Sequence, residues 1–118
     1  MDRIRHLLNI DEIHKRGING QNITVAVLDS GSYPHKDIKE NIIYFKDFVS
    51  DRKNTYDDNS HGTHICGIIG GRGIVNKKYK GIAPHCYLLP IKVLDKSGHG
   101  RSESIINASD WIIRNKNK

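Results

Sequence analysis

The residues of this chain best suited to chemistry are a carboxylate and an imidazole: Asp29 in Asp29-Ser30-Gly31, and His61 in His61-Gly62-Thr63-His64. A buried aspartate can fix the tautomer of a histidine and stabilise its protonated form while that histidine takes a proton from a serine hydroxyl. The two therefore supply two parts of a nucleophilic-hydrolase triad, and the chemistry calls for a serine as the third. None of the eight serines lies in a Gly-x-Ser-x-Gly elbow. Ser30 and Ser60 adjoin the candidates in sequence, but neighbouring side chains diverge, so neither is expected to receive attack geometry from His61.

The surrounding elements must bring Asp29 and His61 together. Ile23 to Leu28 is a nearly continuous apolar, β-branched run, as expected for a strand covered on both faces of a parallel sheet, and Asp29 falls at its C-terminal end. Residues 51 to 60 are polar and read as a loop. Ser60 or Asn59 can cap a helix beginning near His61, whose small and apolar residues suit close packing. In open α/β sheets the functional crevice lies outside the carboxyl ends of the strands. A helix N-terminus shares that edge of the layer, so His61 is expected to face Asp29 across it.

The remaining elements follow from periodicity. Leu7, Leu8, Ile10 and Ile13 predict a short amphipathic helix closed by glycine. A weaker strand is expected around Ile42 to Phe45, and a second buried strand from Cys86 to Leu94. Ser102 is a candidate cap for a last helix carrying a stripe of Ile105, Ile106, Ala108, Ser109, Ile112 and Ile113, with Trp111 beside it. Strand, helix, strand, helix implies an α/β fold with right-handed parallel crossovers.

Composition sets outer limits. With 118 residues, 36% hydrophobic and 27% charged, the chain is ordinary for one folded domain. No stretch approaches the roughly 20 apolar residues that span a bilayer, and the first residues lack the apolar core of a secretory signal, so a cytoplasmic product is expected if Met1 is the start. Cys66 and Cys86 sit in apolar runs and read as buried, reduced packing residues. The net charge of +6 comes largely from Lys77, Lys78 and Lys80 in one loop and from the tail. No basic face with interleaved aromatics points to nucleic acid. A zinc site built from His61, His64 and Cys66 has weak support, because a structural zinc wants four closed ligands.

Four collinear segments resemble the subtilisin-like serine endopeptidases: Val25-Ala26-Val27-Leu28-Asp29-Ser30-Gly31, Asn59-Ser60-His61-Gly62-Thr63-His64, Gly81-Ile82-Ala83-Pro84 and Ile91-Lys92-Val93-Leu94. They follow the family's order and lie close to its spacing, from about residue 10 onward. The order Asp, His, Ser is that of subtilisin, the standard worked example of such a triad, and is borrowed from it.

The resemblance implies a three-layer, mostly parallel sheet with helices on both faces, an incomplete subtilisin-like fold, in which residues 1–118 form the N-terminal portion of a peptidase domain. It implies that Asp29 is the triad carboxylate and His61 the general base and acid; His64, three residues on, is turned from the crevice by helical periodicity and is expected to be structural. It also implies that Gly98, His99 and Gly100 belong to an edge where an extended peptide or protein substrate pairs as an added strand. Asp37 resembles a carboxylate that helps bind calcium in many members. The partner loop here is lysine-rich and opposes a hard cation, so no metal and no cofactor is expected.

The family's Gly-Thr-Ser nucleophile and its oxyanion-stabilising Asn belong to a part of the domain outside these residues. The expectation is therefore an inactive fragment of a peptide-bond hydrolase, or alternatively a non-catalytic remnant that keeps a peptide-binding edge. Truncation is expected to leave the last strand's edge and part of the final helix uncovered, which invites self-association.

Overall fold

The computed structural model describes residues 2–117. Helices α1 (Asp2–Leu7) and α2 (Ile10–Lys15) precede strand β1 (Thr24–Asp29), and a short strand β2 (Lys46–Asp47) follows. Helix α3 (His61–Gly70), strand β3 (Tyr87–Lys92) and helix α4 (Ser102–Asn115) complete the order. The three strands form one parallel sheet in the order β1-β3-β2.

Apolar side chains alternate between the two faces, as a doubly covered strand requires. Val25, Val27 and Leu88 pack under α3 with Cys66, Ile65 and Ile69. Ala26, Leu28, Leu89, Ile91 and Val93 face α4, meeting Ala108, Trp111 and Ile112. The result is three layers, helix on sheet on helix, an incomplete version of the expected α/β architecture.

Several local expectations are corrected. The N-terminal apolar residues form two helices, because Asn9 adopts a left-handed conformation at φ 57° and breaks the run. Of Leu7, Leu8, Ile10 and Ile13 only Ile10 is buried. The stripe of α4 that meets the sheet runs through Ala108, Trp111 and Ile112, while Ile105, Ile106 and Ile113 are exposed. Ser102 is the first residue of α4 and not its cap, which is Arg101.

The weak strand lies later than expected, and Pro90 supplies the reason. Ile43 N–H donates to Leu88 O and Phe48 N–H donates to Lys92 O, so the even-numbered residues of β3 direct their backbone groups towards β2. Pro90 sits between them without an N–H to give. Chain 42–45 touches β3 only through the Ile42–Leu88 bridge, and regular pairing begins at Lys46 opposite Ile91.

The uncovered edge is also elsewhere. The last strand, β3, is central, and the sheet's two edges are β1, the longer, and the two-residue β2. Ile23 O and Asp29 O accept from β3, at Tyr87 N and Val93 N, so by two-residue alternation the backbone groups of Thr24, Ala26 and Leu28 face away from it. An unpaired parallel edge, together with the exposed Ile105 and Ile106 of α4, favours association. Sedimentation of the purified chain is expected to show mass rising with concentration, and Ile106→Glu to reduce it; a monomer at every concentration would contradict this.

Candidate functional site

At the carboxyl end of the sheet the three strands finish in register, with Asp29 beside Lys92 and Asp47 beside Lys92 on the other side. Asp29 is 8% exposed, and its Oδ1 accepts the N–H of Ser30 at 2.7 Å. His61 opens α3 with its Nδ1 3.0 Å from both Asp29 Oδ1 and Asp29 Oδ2. A carboxylate only accepts hydrogen bonds, so Nδ1 carries the proton and Nε2 is left as the free lone pair. The side chain of His61 is 61% exposed, so that nitrogen is open to an approaching group.

Close backbone contact sets this distance. Gly31 holds φ at 108°, and a Cβ there would sit 2.1 Å from Tyr56 O. A Cβ on Gly62 would sit 2.1 Å from Gly31 O. The strand-end turn and the first turn of α3 therefore meet only because both positions lack side chains. Ser30 fills the seam: its hydroxyl donates to Asp57 Oδ1 at 2.8 Å and accepts from Gly62 N–H at 2.9 Å. Fully buried and committed on both sides, Ser30 is a tether. Among the described residues no serine hydroxyl hydrogen-bonds to His61.

Of the two residues expected to cap α3, Asn59 does so with its side chain and Ser60 does not. Ser60 holds the cap position at φ 83°, but its side chain makes no cap bond; Asn59 Oδ1 accepts His61 N–H at 3.2 Å. Asp57 does most of the capping. It accepts the backbone N–H groups of Asn59, Ser60 and Thr63 and the hydroxyls of Ser30 and Thr63. Burial pushes the Asp57 carboxyl up, but the bonds from Thr63, Ser60 and Asn59 outweigh it and hold it below the usual 3.8.

Two more residues organise the site. Lys92 is fully buried, and its Nζ donates to Ser30 O at 2.8 Å, Leu94 O at 2.6 Å and Asp58 Oδ1 at 2.7 Å. One ammonium thus ties the Asp29 turn to the segment after β3 and to the loop before α3. Asp47 accepts the N–H groups of Val49, Ser50 and Arg52 and the Tyr56 hydroxyl. Burial, followed by that bond to Asp47, pushes Tyr56 up to about 12. Sequence reasoning assigned no role to Asp47, Asp57 or Lys92. The signal for Lys92 was present: a charge inside the apolar run from Leu88 to Leu94 demands buried partners.

The segment expected to receive substrate is a hairpin turn beside this cluster. Leu94 and Gly100 form an antiparallel bridge, and Asp95 holds the turn through the N–H groups of Ser97 and His99. Asn59 Nδ2 donates to Lys96 O at 2.9 Å, linking the turn to the cap of His61. Gly98, His99 and Gly100 are all exposed. His64, one turn beyond His61, points elsewhere: it lines a concavity of about 510 Å³ with His35, Asp37, Val75 and Tyr79. Cys66 faces the core, where burial pushes its thiol up to about 11. Among the described residues no three His, Cys, Asp or Glu side chains converge on a metal position. No helix of the described residues is long and apolar enough to cross a membrane.

The chain thus presents a parallel α/β sheet with an Asp-His pair at its carboxyl edge. Residues 20–118 match the model of the Subtilase family. The chain is 38% identical over 117 residues to serine protease AprX of Bacillus subtilis, covering 97% of this chain and 26% of that protein. It is 37% identical over 116 residues to the major intracellular serine protease of Bacillus subtilis, covering 93% and 36%. The fold superposes with a TM-score of 0.72 on the crystal structure of a cold adapted subtilisin-like serine proteinase, at 31% identity, over 83% of this chain and 34% of that one. The chain belongs to the subtilase family of serine proteases, and it spans about a quarter to a third of the length of these relatives.

Two predictions follow from the packing. Gly62→Ala forces its methyl into Gly31 O, at a cost of about 3 kcal/mol, and is expected to abolish the downfield proton resonance of the His61 Nδ1–H; a retained resonance and melting midpoint would contradict the seam. The lowered folded pKa of Asp57 means that its stabilisation is present above about pH 4 and is lost as pH falls through the folded value. Asp57→Asn is expected to cost about 1 to 2 kcal/mol at pH 7 and to flatten the acid limb of an unfolding series between pH 2 and 5.

Proposed function

We propose that this chain supplies the acid and base of a serine endopeptidase, with Asp29 as the orienting carboxylate and His61 as the proton carrier. The observation that carries this reading is the pair of 3.0 Å contacts from His61 Nδ1 to a buried carboxylate, with the rest of the ring open. Asp29 keeps the proton on Nδ1 and stabilises the imidazolium. Nε2 takes the proton of an attacking serine hydroxyl and returns it to the leaving amine. None of this chain's own serines is that nucleophile: Ser30 is buried in the seam, and among the described residues no other serine hydroxyl hydrogen-bonds to His61. The serine and the donors that stabilise the oxyanion come from residues outside these 118.

The substrate is a peptide or protein laid in extended form along Gly98, His99 and Gly100. Their exposure, and the hydrogen bond from Asn59 to Lys96 that holds the turn beside His61, support this position. An open edge suits a polymer whose backbone hydrogen bonds are shared with the enzyme.

The test has two arms. The purified 118-residue chain is expected to resist labelling by a serine-directed fluorophosphonate, and labelling would overturn the assignment of the nucleophile. When the chain replaces the matching segment of an active subtilase, peptide hydrolysis is expected, and His61→Ala or Asp29→Asn should lower kcat by about 10⁴-fold or more, a magnitude taken over from the subtilisin triad. A folded chimera whose activity is indifferent to either substitution would refute the roles.

A further inference from the structure

The loop from Gly71 to Lys80 is anchored at both ends by side chains. At its entry, Asp37 spends both carboxylate oxygens on the loop's backbone: Oδ1 accepts Ile74 N–H at 2.7 Å, and Oδ2 accepts Gly73 N–H at 3.3 Å. At its exit, three backbone carbonyls converge on one nitrogen of Arg5. Nη1 donates to Lys77 O at 3.1 Å, Lys78 O at 3.2 Å and Lys80 O at 2.7 Å. Arg5 lies more than seventy residues away in sequence and is 5% exposed.

Carbonyl oxygens gathered around one point are the donor set that a hard cation takes from a loop. Here the point is occupied by a side chain. A guanidinium carries a permanent charge and several fixed N–H donors, so it can satisfy carbonyls that would otherwise face a cation. Its own charge is balanced by Asp2, whose Oδ1 lies 3.2 Å from Nη2, and by Asp11, whose Oδ1 lies 3.5 Å from Nε. A calcium ion beside Asp37 would have to share carboxylate oxygens that already accept the N–H groups of Gly73 and Ile74. It would also need carbonyls that Arg5 already holds, on a loop that carries the positive charges of Lys77, Lys78 and Lys80. The residues present do not fit the ion.

We propose that Arg5 is a built-in cation that replaces calcium at this loop, making residues 71–80 metal-independent and locking α1 to the layer that carries α3. The lock runs through one buried side chain, so it is set when the chain folds and does not respond to free calcium.

Hydrogen exchange of the purified chain tests this locally. Protection of the amides of Tyr79, Lys80 and Gly81, which close the loop's exit, is expected to be the same in calcium and in EDTA. Arg5→Met should speed their exchange about tenfold or more, while Arg5→Lys, which keeps a charge and three N–H donors, should restore part of the protection. Calcium that slows wild-type exchange at these amides, or Arg5→Met exchange matching wild type, would overturn the proposal. If Arg5→Met does not fold, the calcium and EDTA comparison on wild type and Arg5→Lys decides it. These readouts do not depend on catalysis, so they stand or fall separately from the peptidase assignment.

Discussion

The close approach of Gly31 and Gly62 is the constraint on which the site depends. Two backbones meet with no room for a Cβ on either, and the Ser30 hydroxyl bridges the seam to Asp57 and Gly62. That contact places a side chain at the end of β1 within hydrogen-bond distance of one at the start of α3. The Asp29–His61 geometry follows from it, because each partner lies within two residues of the contact. A larger residue at either glycine would push the helix off the strand end and open the pair.

Around this seam the polar groups form a satisfied network at the end of an apolar sheet. Asp29, Lys92 and Asp47 stand side by side in register at the strand ends. A buried ammonium is costly unless its charge and donors are matched, and Lys92 is matched by Asp58 and two carbonyls. Asp47 and Asp57 gather the N–H groups of a loop with little regular structure, which lets residues 48–60 hold one conformation. The same economy appears at Arg5, where a side chain satisfies loop carbonyls. In each case one charged side chain holds two or more polar groups of loop backbone.

Family membership and local geometry speak to different parts of the function. The match over residues 20–118 identifies a subtilase, while the relatives include proteins described as extracellular and as intracellular, so kinship leaves the compartment open. The geometry adds the protonation pattern of His61, because only Nδ1 meets the carboxylate. It also explains why Ser30, adjacent to Asp29 in sequence, serves structure: its oxygen is enclosed between Asp57 and Gly62.

The sequence by itself determined the elements whose signals are local and strong. The apolar run ending at Asp29, the small-residue helix opening at His61 and the buried strand before Leu94 could be read because side-chain periodicity follows from each element's own backbone. The collinear segments made the Asp-His pairing legible as well. Tertiary structure decided what depends on residues distant in sequence: that β3 lies between β1 and β2, that Pro90 delays pairing of the middle segment, that Asp57 and not Ser60 holds the start of α3, and that Arg5 closes the 71–80 loop. Those outcomes rest on which donor meets which acceptor after folding, and no periodicity within a single segment encodes the partner supplied by another.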